Sequence, residues 1–201
     1  MKRELIFLDS VLTSPLHRQS KSPTLWYHRY WLISTFLRQI CSEEDFSEDF
    51  LKHEISIVFR SAERHQHNYY AWQYARRLIS LLFPAISKDN ITECRVTDNL
   101  LDETSAWCIQ HPSDTSGWSF LFFLMQRSKQ NHKPIILIMQ KAAAFASSYR
   151  WRKEALLHFL STTLLMTEIV PEDLRVQLLQ STGVEAIGSS ASKDKLLGQT
   201  T

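Results

Sequence analysis

The side chains that could carry out chemistry by themselves are few and poorly spaced for it. The 201 residues include three cysteines, at positions 41, 94 and 108, and eight histidines. The cysteines form no CxxC pair, and His65 and His67, two residues apart, would not share a helix face. Since a closed zinc site needs about four ligands, we expect surface or structural histidines. The sequence shows no nucleophile–base pair, phosphate loop or metal cluster, which argues against a self-sufficient enzyme.

Composition narrows the class of protein further. Only 4 residues are glycine, which argues against a turn-rich all-β fold, and 44% are apolar. The net charge of +2 gives no reason to expect a nucleic acid or an anionic membrane as partner. No apolar run approaches the roughly 18 residues of a spanning helix, and the apolar run near the N-terminus is too short for a signal peptide. We therefore expect a cytoplasmic all-α protein.

Four tryptophans mark the elements that must position any site: Trp26, Trp72, Trp118 and Trp151. The first three are spaced 46 residues apart, and the fourth follows after 33. A residue suited to cap a helix N-terminus stands four positions before each one: Ser22, Asn68, Asp114 and Ser147. A leucine follows six positions after each: Leu32, Leu78, Leu124 and Leu157. This register predicts four copies of one helix, and large aromatics repeated in this way most often fill the space between repeats.

The repeat predicts helical hairpins that stack into a curved solenoid, because a lone hairpin cannot bury both of its faces. We expect about four hairpins within residues 1–185, at about 1–40, 47–83, 97–130 and 134–167, followed by a short C-terminal helix. Residues 84–95 are predicted to be a loop, and Thr97 or Asp98 to begin the next helix. The tail at 186–201, rich in small and polar residues, is predicted to be disordered.

Two of the copies resemble a known family. Residues 68–77, NYYAWQYARR, are similar to the N-Y-H-A-W-x-H-R-R motif of the protein prenyltransferase alpha-subunit repeat, and residues 26–32, WYHRYWL, keep its W-x-H-R-x-W-L. The likeness covers about residues 1–165. It is greatest to the branch named for the protein prenyltransferase alpha subunit repeat-containing protein 1. It implies a right-handed, TPR-like superhelix.

The resemblance also implies a function. Alpha subunits of this family wrap a separate beta subunit, which holds the zinc and most of the isoprenoid pocket, so no cofactor is expected in this chain. The expected partner is the beta subunit of the Rab-type geranylgeranyltransferase. The pair would add a geranylgeranyl group to a cysteine of a protein substrate, of the farnesylated Golgi SNARE type. Transferase activity would require both subunits.

His28 and Arg29 follow the family motif of the first copy. One interpretation is a charge that lines the concave surface facing the beta subunit. The alternative is a buried polar contact between hairpins.

The segment His67, Asn68 and Tyr69 corresponds to the family's junction near the isoprenoid diphosphate. The family usually has a lysine where this chain has His67, which is only partly protonated at neutral pH. That departure weakens the case for a diphosphate contact, and Asn68 can equally be a simple helix cap.

Arg76 and Arg77 match the arginines of the motif with a shift, since Ala75 stands where the first one usually is. They could pair with acidic groups on a partner or on a neighbouring hairpin. In the third copy Leu121 takes this place, and its helix is apolar nearly all round, which suggests a central or partner-covered position. These departures favour a second interpretation, a non-catalytic helical scaffold for protein–protein interaction.

Overall fold

The structure, a computed structural model, describes residues 1–37, 48–86, 90–128, 132–151, 154–165 and 170–182. Within these ranges the chain is all-helical, with no strand, as predicted. The helices are α1 Lys2–Leu12, α2 His17–Ser20, α3 Pro23–Thr35, α4 Glu48–Arg64, α5 Tyr69–Ile86, α6 Asn90–Gln110, α7 Thr115–Arg127, α8 Lys133–Ser148, α9 Glu154–Leu164 and α10 Glu172–Thr182. None of the helices in these ranges is long and apolar enough to cross a membrane.

The chain divides into two compact units, residues 1–100 and 101–201. In unit 1, helix α5 packs against both α3 and α4, and α1 packs against α2, α3 and α4. In unit 2, helix α9 packs against both α7 and α8, and α10 packs against α8. Each unit therefore places a tryptophan helix, α3 or α7, beside a second helix, α5 or α9. This makes the protein helical and repeat-like, while the stacking of hairpins into a solenoid stays a prediction.

The predicted caps of the first three tryptophan helices are confirmed. The side-chain oxygens of Ser22, Asn68 and Asp114 each accept a hydrogen bond from the backbone N–H three residues later, at 3.4, 3.4 and 2.9 Å. Such a bond satisfies one of the amides that a helix N-terminus leaves without an intrahelical partner. The same register therefore starts all three helices.

The three tryptophans that follow these caps lie in the core. Trp26, Trp72 and Trp118 are 2% exposed or less. The indole Nε1 of Trp26 donates to the carbonyl of Ser20 at 2.7 Å, and that of Trp118 donates to the carbonyl of Pro112 at 3.1 Å. In both cases the acceptor lies six residues earlier, so each indole also fixes the turn before its helix. These three tryptophans are therefore buried packing residues.

The fourth copy is not built as predicted. Ser147 lies inside α8 and does not cap a helix, and Trp151 follows the end of α8 outside any described helix. The chain turns at Arg150, where φ is 49°, and the Trp151 amide donates to the Ala146 carbonyl at 2.9 Å. Trp151 is half-buried, with its ring 5.9 Å from that of Phe145. The serine matched the capping pattern, but α8 continues through it.

The loop predicted at 84–95 is also wrong in most of its length. Helix α5 includes Pro84 and continues to Ile86, and α6 begins at Asn90 rather than near Thr97. The first turns of α6 are tied to α4, because Arg95 and Asn99 both donate to the carboxylate of Glu48. This tertiary contact favours helix where local sequence suggested a loop. The polar segment at 17–21 contains the short helix α2.

Some predictions fall outside the described residues. They concern Cys41 and the tail at 186–201. Helix α10 agrees with the predicted short C-terminal helix.

Candidate functional site

Unit 1 is centred on a buried arginine. Arg29, on α3, is 0% exposed. Its Nε and Nη2 donate to the two carboxylate oxygens of Glu54 on α4, at 2.8 and 2.7 Å, which is a bidentate pair. Its Nη1 lies 2.6 Å from Oδ1 of Asp9 and donates to the Leu5 carbonyl at 3.3 Å, both on α1. One guanidinium thus joins three helices.

The phenol of Tyr74 completes this cluster from α5. Its hydroxyl donates to Oε2 of Glu54. Burial and the neighbouring Glu54 carboxylate raise the pKa of Tyr74 well above its ordinary value, so the phenol keeps its proton. For Arg29, burial by itself lowers the pKa, but the charge of Glu54 and its hydrogen bond outweigh burial and raise it. The cluster is therefore a paired, hydrogen-bonded charge network that fixes α1, α3, α4 and α5.

Arg29 accordingly takes the second of the two roles considered from sequence, the buried polar contact between helices. It does not line a surface. Its neighbour His28 lies at the surface, where Nε2 is 3.0 Å from Oε1 of Glu4 and the ring stacks on Trp31 at 5.6 Å. The two residues of the motif therefore separate into an interior and an exterior contact.

Asn68 also has a role beyond its cap. It is 0% exposed, and its Nδ2 donates to the Ser20 carbonyl at 3.0 Å and to Ser61 Oγ at 2.9 Å. His67, just before it, is exposed and has a φ of 58°, while Tyr69 is exposed beside Tyr70. The three residues predicted as one site thus have different surroundings, and Asn68 is buried structure.

A groove lies between α3 and α5 in unit 1, with a volume of about 430 Å³. Trp26 and Tyr74 contribute to its lining, their rings 5.1 Å apart. Its rim consists of side chains that are wholly or partly exposed: Pro23, Thr24, Tyr27, Tyr30, Tyr70, Gln73 and Arg77. Tyr27 is 59% exposed and Tyr70 is 41% exposed. A groove with several tyrosines is suited to contact apolar or proline side chains while offering hydroxyl groups to water.

Arg77 supplies the charge of this groove. Its guanidinium carbon lies 4.1 Å from the ring centroid of Tyr30 and 5.5 Å from that of Tyr27. Stacking on an aromatic face leaves the N–H groups at the edge of a guanidinium directed away from the ring. Arg76, one residue earlier, is half-buried, and its Nη1 donates to Gln73 at 3.1 Å. Burial lowers the pKa of Arg76 and outweighs the opposing effect of Tyr69.

Of the residues predicted from sequence, the structure therefore brings only Trp26 and Arg77 to this groove. Sequence reasoning missed Tyr27, Tyr30 and Tyr70. Tyr27 and Tyr30 are one and four positions after Trp26, and Tyr70 and Arg77 stand seven apart on α5. These spacings put each pair near one side of its helix, a signal that was present but only meaningful once α3 and α5 were known to be neighbours.

Unit 2 has a smaller groove at the equivalent place, between α7 and α9, with a volume of about 160 Å³. Trp118, Ser119 and Phe122 line it at the positions that Trp26, Tyr27 and Tyr30 hold in unit 1. Phe159 packs on Trp118 at 4.7 Å, as Tyr74 packs on Trp26.

The equivalence extends along the second wall of each groove. Ala155, His158, Phe159 and Thr162 of α9 have the same spacing as Tyr70, Gln73, Tyr74 and Arg77 of α5. Thr162 therefore stands where unit 1 has Arg77. The structure thus gives a register for the fourth copy that differs from the predicted one, with Leu157, not Trp151, at the position of Trp72.

Comparison with models of protein families identifies the family of this chain. Residues 25–148, more than half of its length, match the model of the ECM9 middle domain. The chain belongs to the ECM9 middle-domain family. That match overturns the assignment to the prenyltransferase alpha-subunit repeat family, which rested on short motifs around Trp26 and Trp72. A comparison with curated proteins gives no match.

The physical reason for the wrong assignment is visible in the structure. Within those motifs Trp26, Arg29, Asn68 and Trp72 are all buried and support caps, packing and the charge network. Requirements of this kind belong to a helical fold rather than to one activity. The residues that match the motif therefore determine how the helices pack.

Proposed function

We propose that this ECM9 middle-domain protein is a non-catalytic helical scaffold that works by binding another protein. The observation that carries the proposal is the tyrosine-lined groove of unit 1. Its rim exposes several large aromatic rings and an arginine on the walls of two helices. Tyrosine and arginine are the residue types that most often dominate protein–protein interfaces.

The setting of the groove supports the same function. Directly beneath its aromatic floor, the Arg29 network holds α3 and α5 through Glu54 and Tyr74. A rigid support of this kind reduces the ordering cost when a partner binds. The stacked-hairpin solenoid predicted from sequence would suit this role, and small-angle X-ray scattering of the purified chain tests that architecture.

Site-specific photo-crosslinking tests the proposal. A photoreactive amino acid replaces Tyr27 or Tyr70 at the groove rim, and Lys52 or Arg60 at exposed control positions of α4. In cells that make the protein, we expect a discrete protein adduct from the groove positions, identified by mass spectrometry, and none from α4. Equal adducts from all four positions, or none from Tyr27 and Tyr70, would contradict the proposal.

The narrower expectation drawn from the motifs, a Rab-type prenyltransferase beta subunit as partner, stays a prediction. It has lost the family assignment on which it rested. Coexpression tests it separately: copurification of a stable pair that geranylgeranylates a protein substrate would support it, and failure to copurify would remove it.

A further inference from the structure

The groove of unit 1 also carries information about what it binds. Among the residues that the structure describes, its lining includes one side chain that is charged at neutral pH, Arg77, and no aspartate or glutamate. In the described part of the chain Arg77 contacts the rings of Tyr27 and Tyr30 and forms no ion pair. An exposed cation amid aromatic rings, with no carboxylate in the same lining, is complementary to an anionic ligand.

We propose that the groove binds an acidic linear segment of a partner protein, with a carboxylate paired to Arg77 and a neighbouring apolar or proline side chain on the tyrosine rings. This deepens, and rests on, the scaffold function proposed above. The guanidinium edge can donate two hydrogen bonds to a carboxylate, in the bidentate geometry that Arg29 shows with Glu54. Stacking on Tyr30 holds the guanidinium in place and so lowers the entropy lost on binding.

The shape of the groove favours an extended peptide over other ligands. Its two walls are helices, and its volume of about 430 Å³ lies at the small end of the range for ligand pockets. An extended or polyproline-type segment fits such aromatic-lined grooves because little of its backbone freedom remains to be lost. A single-stranded nucleic acid would also stack on tyrosines, but it needs a track of several cations along its backbone. The described lining offers a single cation, Arg77.

Unit 2 provides an internal contrast for the specificity. At the equivalent positions its groove has Ser119 for Tyr27, Ala155 for Tyr70 and Thr162 for Arg77. Among the described residues, its lining thus has none of the three rim tyrosines and no arginine or lysine, and the rings at its rim are those of Phe122 and His158. The same pair of helix walls should therefore not select acidic segments in unit 2.

A positional-scanning peptide library tests the proposal on the full chain. In each pool one residue type is fixed at the central position and the flanking positions are degenerate, and binding is measured by fluorescence anisotropy. We expect the Asp and Glu pools to bind best. Arg77→Glu should weaken these pools by about ten- to a hundredfold, as expected for a charge-assisted hydrogen bond, and should shift the preference to the Lys and Arg pools.

Two variants control for charge and for position. Arg60→Glu makes the same change of net charge at an exposed site on α4, and Thr162→Glu places the same side chain at the equivalent position of unit 2. Both should keep the wild-type preference. Circular dichroism establishes that Arg77→Glu retains the helical fold, as its exposure predicts.

Three results would overturn the inference: no preference for acidic pools, a preference that Arg77→Glu leaves unchanged, or stronger binding of a single-stranded oligothymidine than of any pool. These outcomes are distinguishable from failure of the scaffold function. If the rim still crosslinks to a protein while Arg77→Glu changes nothing, the scaffold function stands and the acidic ligand is wrong.

Discussion

Each unit places two helices side by side, and the helix pairs are equivalent, but the two units fill the space between their own helices differently. Unit 1 buries a charged network around Arg29 and exposes tyrosines at its groove, whereas unit 2 has Leu121 and Phe159 at the positions of Arg29 and Tyr74. Both solutions hold a tryptophan helix against a second helix. The contrast shows that the tryptophan register specifies packing, while the residues one and four positions after the tryptophan, Tyr27 and Tyr30 in unit 1 and Ser119 and Phe122 in unit 2, set the chemistry of the groove wall.

The same contrast bears on specificity of packing. A buried arginine with two carboxylates and a phenol can be satisfied in few arrangements, because each partner must lie at hydrogen-bond distance. An apolar interface tolerates more rearrangement. We therefore expect the packing beneath the unit 1 groove to tolerate less rearrangement than the equivalent packing of unit 2.

The largest expected effect comes from breaking the charge network. Arg29→Met should destabilise the protein by about 3–5 kcal/mol, because Glu54 would remain buried without its partner. Adding Glu54→Leu should recover part of this loss, since the fully buried carboxylate is then removed and only the partly exposed Asp9 is left without its arginine. Leu121→Met, at the equivalent position of unit 2, should cost less than about 1.5 kcal/mol. Urea unfolding measures all three, and equal losses for Arg29→Met and Leu121→Met would refute the contrast between the units.

Truncation of the tryptophans tests the packing that the two units share. Trp26→Ala and Trp118→Ala should each cost about 3–5 kcal/mol, because both indoles are fully packed. Trp151→Ala should cost clearly less than either, since that ring is half-buried and lies outside the register. Thermal unfolding followed by circular dichroism gives the order. A loss of stability at Trp151 equal to that at Trp118 would indicate that both indoles are packed to the same extent, as the predicted fourth copy requires.

The free energy of unfolding that the caps contribute should differ between the units by a smaller amount. Asp114→Ala removes one cap hydrogen bond and should cost about 1 kcal/mol. Asn68→Ala removes a cap and also leaves the Ser20 carbonyl and Ser61 hydroxyl without its amide, so it should cost about 1–3 kcal/mol more. Urea denaturation of the two variants checks this difference.

The smallest expected effect is a pH dependence at the α4–α6 contact of unit 1. Partial burial raises the pKa of the Glu48 carboxyl, but hydrogen bonds from Arg95, Asn99 and Lys52 outweigh it and lower the pKa below 4.5. A depressed pKa contributes stability that is present above the unfolded value and lost as the pH falls through the folded value.

Acidification from pH 6 to below about 4.5 should therefore loosen the start of α6. Relative to the intrinsic exchange rate at each pH, the protection of the Ile91–Val96 amides should fall more in the wild type than in Glu48→Gln, which has no carboxyl to protonate. An identical loss of protection in both proteins would assign the effect to other groups.

Much of the fold followed from local sequence. Low glycine content, the capping residues and the tryptophan spacing predicted an all-helical chain and the starts of α3, α5 and α7, because a helix N-terminus requires nearby acceptors for its free amides. The same rule failed at Ser147, where the packing of α8 continued the helix through a residue with capping potential. It failed again before Thr97, where Glu48 holds the first turns of α6.

The candidate site needed the tertiary structure. The sequence by itself predicted Trp26, Trp72 and Trp118 as packing anchors and offered a helix cap as one of two roles for Asn68, since such roles depend on one helix and its preceding turn. Only the structure decided that Glu54 pairs with Arg29 and that Tyr27 and Tyr30 face Arg77, because these partners lie 25 or more residues apart and meet only where helices pack. Periodicity shows which residues share a face of one helix, but which face meets which is a property of the packed chain.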